Sequence, residues 1–147
     1  MRLSVLFLVL FGLACSSDNE KDEIFEINSF YNCEEGLIED ASLLESELTG
    51  KWKWIESNCS FCLDPRPTKA DKLVMAQFKL DMTYSLMEDS KIISEGVWSI
   101  DESESIFYVS FDPRPAYLDG SIQICGNQLI SDARPWDGGA YLFVRED

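Results

Sequence analysis

The sequence predicts an all-β fold: an eight-stranded antiparallel up-and-down barrel with a short N-terminal helix. Three observations lead there. From Lys51 onward, apolar and polar residues alternate with period two rather than the helical period. The breaks between the alternating runs are short and built from turn residues: Asp81-Met82, Asp89-Ser90 and Gly126-Asn127. Eight such runs fit into about a hundred residues. Short connections make sequential strands antiparallel neighbours, and closing the sheet on itself removes its exposed edges.

The chain opens as a targeting segment. Met1-Arg2 supplies a positive charge, and Leu3 to Leu13 is almost wholly apolar, with Ser4 its one polar side chain. Gly12-Leu13-Ala14 is a small-x-small cleavage site. The apolar run is shorter than the roughly 20 residues a membrane-spanning helix needs. Residues 1–14 are therefore expected to be a signal peptide. Ser16 to Glu23 contains no apolar residue and reads as a solvated tether. The tether is expected over 15–32 and the folded domain over 33–147. Within the tether, Ile24, Phe25, Ile27 and Phe30 are apolar enough to lie against the domain.

Asp40 or Ser42 would cap a short helix through Leu43, Leu44 and Leu48. Leu44 and Leu48 are four apart on one face, and Gly50 would end the helix. The strands are expected at Lys51 to Asn58, Lys72 to Leu80, Thr83 to Glu88, Ile92 to Ile100, Ser105 to Phe111, Asp119 to Cys125, Gln128 to Ser131 and Ala140 to Arg145. Trp52 and Trp54 take one face of the first strand, while Lys51 and Lys53 take the other. Tyr84 and Leu86 alternate with Thr83 and Ser85 in the same way, as do Ile122 and Ile124 with Ser121 and Gln123.

The net charge is −15. Asp18 to Glu47 carries eleven acids and one base, and Leu48 to Asp147 sixteen acids and ten bases. Such a chain repels phosphate backbones, so nucleic acid is not an expected partner. Anionic headgroups would repel it too. There is no histidine, which removes the usual general base and the commonest metal ligand. No carboxylate spacing singles out an acid/base pair, and no glycine-rich phosphate loop is present. The expectation is a non-enzyme without metal or cofactor.

Five cysteines remain to be placed. Gly12-Leu13-Ala14-Cys15 resembles the lipobox of bacterial lipoproteins. That resemblance implies a mature chain beginning at Cys15 with acyl chains, palmitate among them, on that residue. Lipidating Cys15 leaves Cys33, Cys59, Cys62 and Cys125, an even number that can pair in an oxidising compartment. Cys59-Ser60-Phe61-Cys62 follows a strand and precedes a proline-rich loop, so a structural disulfide is favoured over a redox or zinc site. Two or three acyl chains would anchor the protein stably. The Ser/Asp-rich stretch after Cys15 resembles that of surface-displayed lipoproteins of Bacteroidetes-type bacteria. An outer-membrane protein, facing the cell surface or the periplasm, is the expectation.

The domain resembles the lipocalin-like domains of such lipoproteins. Leu48-Thr49-Gly50-Lys51-Trp52-Lys53-Trp54 is similar to their Gly-x-Trp opening. Phe78 to Ser85 resembles their second hairpin, Gly96-Val97-Trp98-Ser99-Ile100 the following strand, and Asp137 to Arg145 the closing strand. The resemblance covers 45–147 and implies an up-and-down barrel with one open end. The family pattern often has glycines where this chain has its cysteines and prolines in the first loop.

In an up-and-down barrel the odd-numbered loops share one end. Asp64-Pro65-Arg66-Pro67, Asp112-Pro113-Arg114-Pro115 and Asp132-Ala133-Arg134-Pro135 fall in the first, fifth and seventh loops. Arg66, Arg114 and Arg134, with Trp136, would then ring one mouth, the ligand-admitting end in lipocalins. Arginine suits recognition of carboxylate or phosphate. The alternative is that each Asp neutralises its own Arg in a rigid turn. The same parity places Cys59 and Cys62 at the mouth and Cys33 and Cys125 near the other end. Disulfide geometry then favours Cys33–Cys125, stapling the N-terminal segment across the closed end, and Cys59–Cys62. Two functions stay open. Trp52, Trp54, Tyr84, Trp98 and Phe143 line a cavity for a small lipophilic or carboxylate-bearing ligand, or they pack a solid core and the protein works by contacting another envelope component.

Overall fold

In the computed structural model, which describes residues 27, 29–33, 38, 40–59, 61–63, 66–103 and 106–146, one antiparallel sheet curls back on itself. The expected leader, Cys15 and the tether up to residue 26 lie outside the described residues, as do Asp64 and Pro65. The strands are β1 (Gly50–Cys59), β2 (Thr68–Lys69), β3 (Val74–Phe78), β4 (Thr83–Glu88), β5 (Lys91–Ser103), β6 (Ile106–Asp112), β7 (Ser121–Cys125), β8 (Gln128–Asp132) and β9 (Gly139–Glu146). Their hydrogen-bonded order is β6-β5-β4-β3-β1-β9-β8-β7, with β2 paired to β1. All eight expected strands are present in up-and-down order. Asp89 and Ser90 both adopt positive φ, the backbone of a tight hairpin turn matched to strand twist.

The structure corrects the expected first hairpin. The alternation places Lys72 to Leu80 in one strand, but β3 begins only at Val74 and the short β2 precedes it. The cause lies in β1, whose ladder to β9 shifts register between Trp54 and Glu56. A bulge there bends the strand, and the ladder on the other side breaks at the same level. β3 pairs with Gly50 to Lys53, and β2 pairs with Glu56 and Ser57.

Closure is also incomplete. β6 and β7 end the hydrogen-bonded path without pairing with each other. The connection between them sends side chains into the barrel. Leu118 is buried in the core, and the Tyr117 ring packs on Trp54 and Tyr141 at centroid distances of 5.3 and 5.1 Å. This connection leaves β6 opposite Val97, which itself pairs with Thr83 at the start of β4. The fifth loop therefore runs along the seam rather than starting at the rim.

The helix α1 (Ala41–Leu48) is capped by Asp40, whose carboxylate accepts the Leu43 amide at 2.9 Å. Leu44 and Leu48 turn into the core. The helix ends at Thr49, one residue before the expected Gly50. Gly50 instead opens β1 at φ +140°, where a Cβ would sit 3.0 Å from the Arg145 guanidinium. That guanidinium donates to the carbonyls of Thr49 and Glu47 and stacks 4.4 Å from the Trp52 ring. A cation satisfying the last helix carbonyls replaces the glycine cap.

Two cores share the sheet. Inside, Trp52, Trp54, Val74, Phe78, Tyr84, Leu86, Trp98, Leu129 and Phe143 pack together. Outside, Ile130, Ala140 and Leu142 face the other way and are covered by Ile27 and Phe30. The folded unit therefore starts at or before Ile27, upstream of the expected boundary at Cys33. Cys33 is bonded to Cys125 and Cys59 to Cys62, the pairing expected from loop parity. The first staple holds the N-terminal segment against the outer wall rather than across the closed end. It does so because the outward apolar residues of β8 and β9 need a cover. In the loop-entropy view, the stabilisation grows with the length of chain enclosed. We expect Cys33→Ala with Cys125→Ala to lose about 4 kcal/mol and Cys59→Ala with Cys62→Ala about 2 kcal/mol or less, read by urea unfolding.

Candidate functional site at the barrel mouth

The bulge in β1 decides which residues reach the mouth and which reach the outer wall. Cross-strand partners share a face. Trp54 pairs with Phe143, so both point inward; beyond the bulge Glu56 pairs with Leu142 and Asn58 with Ala140, so both point outward. Glu56 and Asn58 are buried polar residues, and the Ile27 amide, at the start of the N-terminal strap that runs to Cys33, donates to Glu56 Oε1 at 3.4 Å.

At the mouth, Cys59 pairs with Gly139, so the first and seventh loops spring from adjacent strand ends. The expected ring of three arginines does not assemble there. Arg134 turns to the strap side, where Nε and Nη2 donate to Asp132 at 2.9 and 2.6 Å. The Tyr31 hydroxyl donates to the same carboxylate, and Arg134 Nη2 lies 3.5 Å from the Tyr31 oxygen. Asp132 thus neutralises its own arginine, as the rigid-turn reading has it. Arg66 is exposed on the first loop and lines none of the clefts described below. Arg114 does reach Trp136: the two line a cleft of about 320 Å3 with Asp119, Ala133 and Gly138. Arg114 also lines a second cleft along the seam with Val109, Phe111, Leu118 and Gly120, and its guanidinium donates to the Asp119 carbonyl. A third cleft, of about 410 Å3, separates α1 from Met82, Trp98 and Ile100.

The interior tryptophans are core. Trp52, Trp54 and Trp98 are buried, and each indole N–H has a backbone acceptor: the carbonyls of Leu48, Glu56 and Thr83 respectively. Phe78 meets Trp98 edge-on at 6.0 Å, and Phe111 packs on Tyr84 at 5.3 Å. With donors satisfied and rings interlocked, these groups offer a ligand no free polar handle.

The Tyr31–Asp132–Arg134 cluster is the feature that sequence reasoning missed. Tyr31 and Asp132 are 101 residues apart, and no local pattern joins them. The Tyr31 hydroxyl is pushed up to about 12, first by burial and then by the Asp132 carboxylate. Burial pushes Asp132 upward as well, but hydrogen bonds from Arg134 and Tyr31 outweigh it and hold the carboxyl below its ordinary range.

Among the described residues no group of histidine, cysteine and acidic side chains is placed to hold a metal ion, and no helix is long and apolar enough to cross a membrane. No family model, curated protein or solved structure matches this chain.

The cluster makes a pH prediction. A tyrosine whose folded pKa is raised contributes stability that is full below its unfolded value, near 10, and lost as pH rises through about 12. Tyr117 and Tyr141 are raised by burial and titrate in the same sense. The Tyr31 share is therefore the difference between wild type and Tyr31→Phe. Urea midpoints should fall more steeply for wild type than for this variant between pH 10 and 12; parallel curves would contradict the assignment.

Proposed function

We propose that this chain is a lipid-anchored envelope protein whose barrel is filled and which works through its outer surface, as an interaction module rather than a carrier. The observation that carries this reading is the interior itself, where three tryptophans are buried and their indole N–H groups are already bonded. Eight strands enclose an interior that side chains can just fill. The filled form of a lipocalin-like lipoprotein fits both the motif order and the packing. Lipid on Cys15 supplies the attachment. The two disulfides support an oxidising compartment, and the acidic chain makes an electrostatic anchor unfavourable.

Two measurements test the reading. The mature protein should begin at Cys15 with a mass increment for acyl chains. Replacing Trp136 by Phe leaves only the buried indoles as reporters. Titrating that variant with long-chain fatty acids should leave its emission unchanged, and mass spectrometry of the purified protein should find no stoichiometric lipophile. A bound lipophile, or emission that saturates with fatty acid, would establish a cavity and overturn the filled-barrel reading.

One observation favours a small ligand at a different place. The Arg114–Trp136 cleft combines an exposed guanidinium with an exposed indole, a pairing suited to a carboxylate on an apolar body. Such a ligand would shift the emission of Trp136 in wild type, and Arg114→Ala would abolish the shift.

A further inference from the structure

The strap shows where Ile27, the described residue nearest the expected anchor, is attached. Ile27 is held at Glu56, on the upper part of β1. From there the strap crosses the outer wall to Asp132 on β8 and to Cys125 on β7. Ile27 thus sits on the β1 side, about 10 Å (three strand residues) below Cys59 and the mouth. Cys15 lies twelve residues before Ile27. A fully extended chain of that length reaches at most about 40 Å. A lipid on Cys15 therefore keeps Ile27 within about 40 Å of the bilayer and the mouth, about 10 Å further along β1, within about 50 Å.

The mouth end is apolar at its tip. Phe61 is 70% exposed, Leu63 is fully exposed at 109%, and Trp136 is 65% exposed. Phe61 and Leu63 belong to the loop after β1 and Trp136 to the loop before β9, whose strand ends pair at Cys59 and Gly139. The Cys59–Cys62 disulfide and the Cys62 amide bonded to the Cys59 carbonyl at 3.4 Å hold the first tip in a tight turn. Ordering that tip at a surface therefore costs little conformational entropy. The two loops carry less negative charge than the rest of the chain. Residues 59–72 carry Arg66, Lys69 and Lys72 against Asp64 and Asp71, and residues 132–138 carry Arg134 against Asp132 and Asp137, a net of 0 in a chain of −15, with Lys72 paired to Glu88 at 3.1 Å. Aromatic and leucine side chains beside a few cations are the composition of a membrane-interface contact.

We propose that the mouth loops dock onto the lipid surface that carries the anchor, with Phe61, Leu63 and Trp136 seated at the headgroup level. This rests on the lipid-anchored reading of Cys15. The domain then lies mouth-down, and its opposite end, with α1, faces away from the bilayer.

The test uses the mature lipidated protein reconstituted into vesicles of phosphatidylethanolamine and phosphatidylglycerol, with and without brominated acyl chains. Trp136 is the one exposed tryptophan of the four, so its emission is the difference between wild type and Trp136→Phe. Docking predicts that brominated lipid quenches this emission, and that Phe61→Ser with Leu63→Ser relieves the quenching without loss of fold by circular dichroism. If the protein floats with the vesicles but Trp136 is unquenched, docking is overturned, the anchor stands, and the apolar tips are left to a protein partner. If the protein does not float, the anchor fails and docking falls with it.

Discussion

The bulge in β1 between Trp54 and Glu56 sets which side of the wall each half of the strand serves. Below it, Trp52 and Trp54 point into the barrel; above it, Glu56 and Asn58 point out. Without the extra residue, a strict two-residue period would carry a carboxylate and an amide into the interior beside the tryptophans. With it, the interior stays aromatic and the outer wall acquires polar groups that need partners. The strap supplies the Ile27 amide to Glu56 and covers the apolar residues of β8 and β9 around it. Interior packing and strap docking are thus consequences of one local register shift.

The seam between β6 and β7 reflects a different constraint. Closing eight strands requires either a continuous ladder or something to fill the gap. Here Leu118 lines the gap beside Val109 and Phe111 of β6 and Gly120 before β7, while Tyr117 reaches across to Trp54 and Tyr141. The loop is consequently tied to the interior: the Tyr84 hydroxyl donates to the Pro113 carbonyl, and the Tyr117 hydroxyl donates to Glu88 at 2.9 Å. At Gly96 a Cβ would lie 2.1 Å from the Asp112 carbonyl oxygen, so β5 accepts the crossing only because it has no side chain there. Arg114 is carried into the clefts by this path rather than by membership of a symmetric ring.

Of the candidate site, only part was legible from the residues. The repeated Asp-x-Arg-Pro pattern correctly marks loops, but which arginine stays available depends on contacts made elsewhere. Arg134 is claimed by Asp132 and Tyr31, the latter more than a hundred residues away in sequence. Arg114 bonds a carbonyl in its own loop and faces Trp136. The cysteine pairing was readable, because loop parity is a topological property that survives errors in strand boundaries.

The sequence by itself determined the order of the eight main strands, the tight turns, a short helix capped at Asp40 or Ser42 and the two disulfides, because each follows from interactions among near neighbours or from counting turns. Period-two alternation needs only the pleat, and a cap needs only the next three residues. Only the tertiary structure decided the bulge, the unpaired seam, the position of the strap and which aromatic rings meet inside. These depend on pairs far apart in the chain, such as Arg145 with Thr49, 96 residues away, and on whether side-chain volumes close the space between strands. No local pattern encodes that volume; it exists only once the sheet has curled and the rings have met.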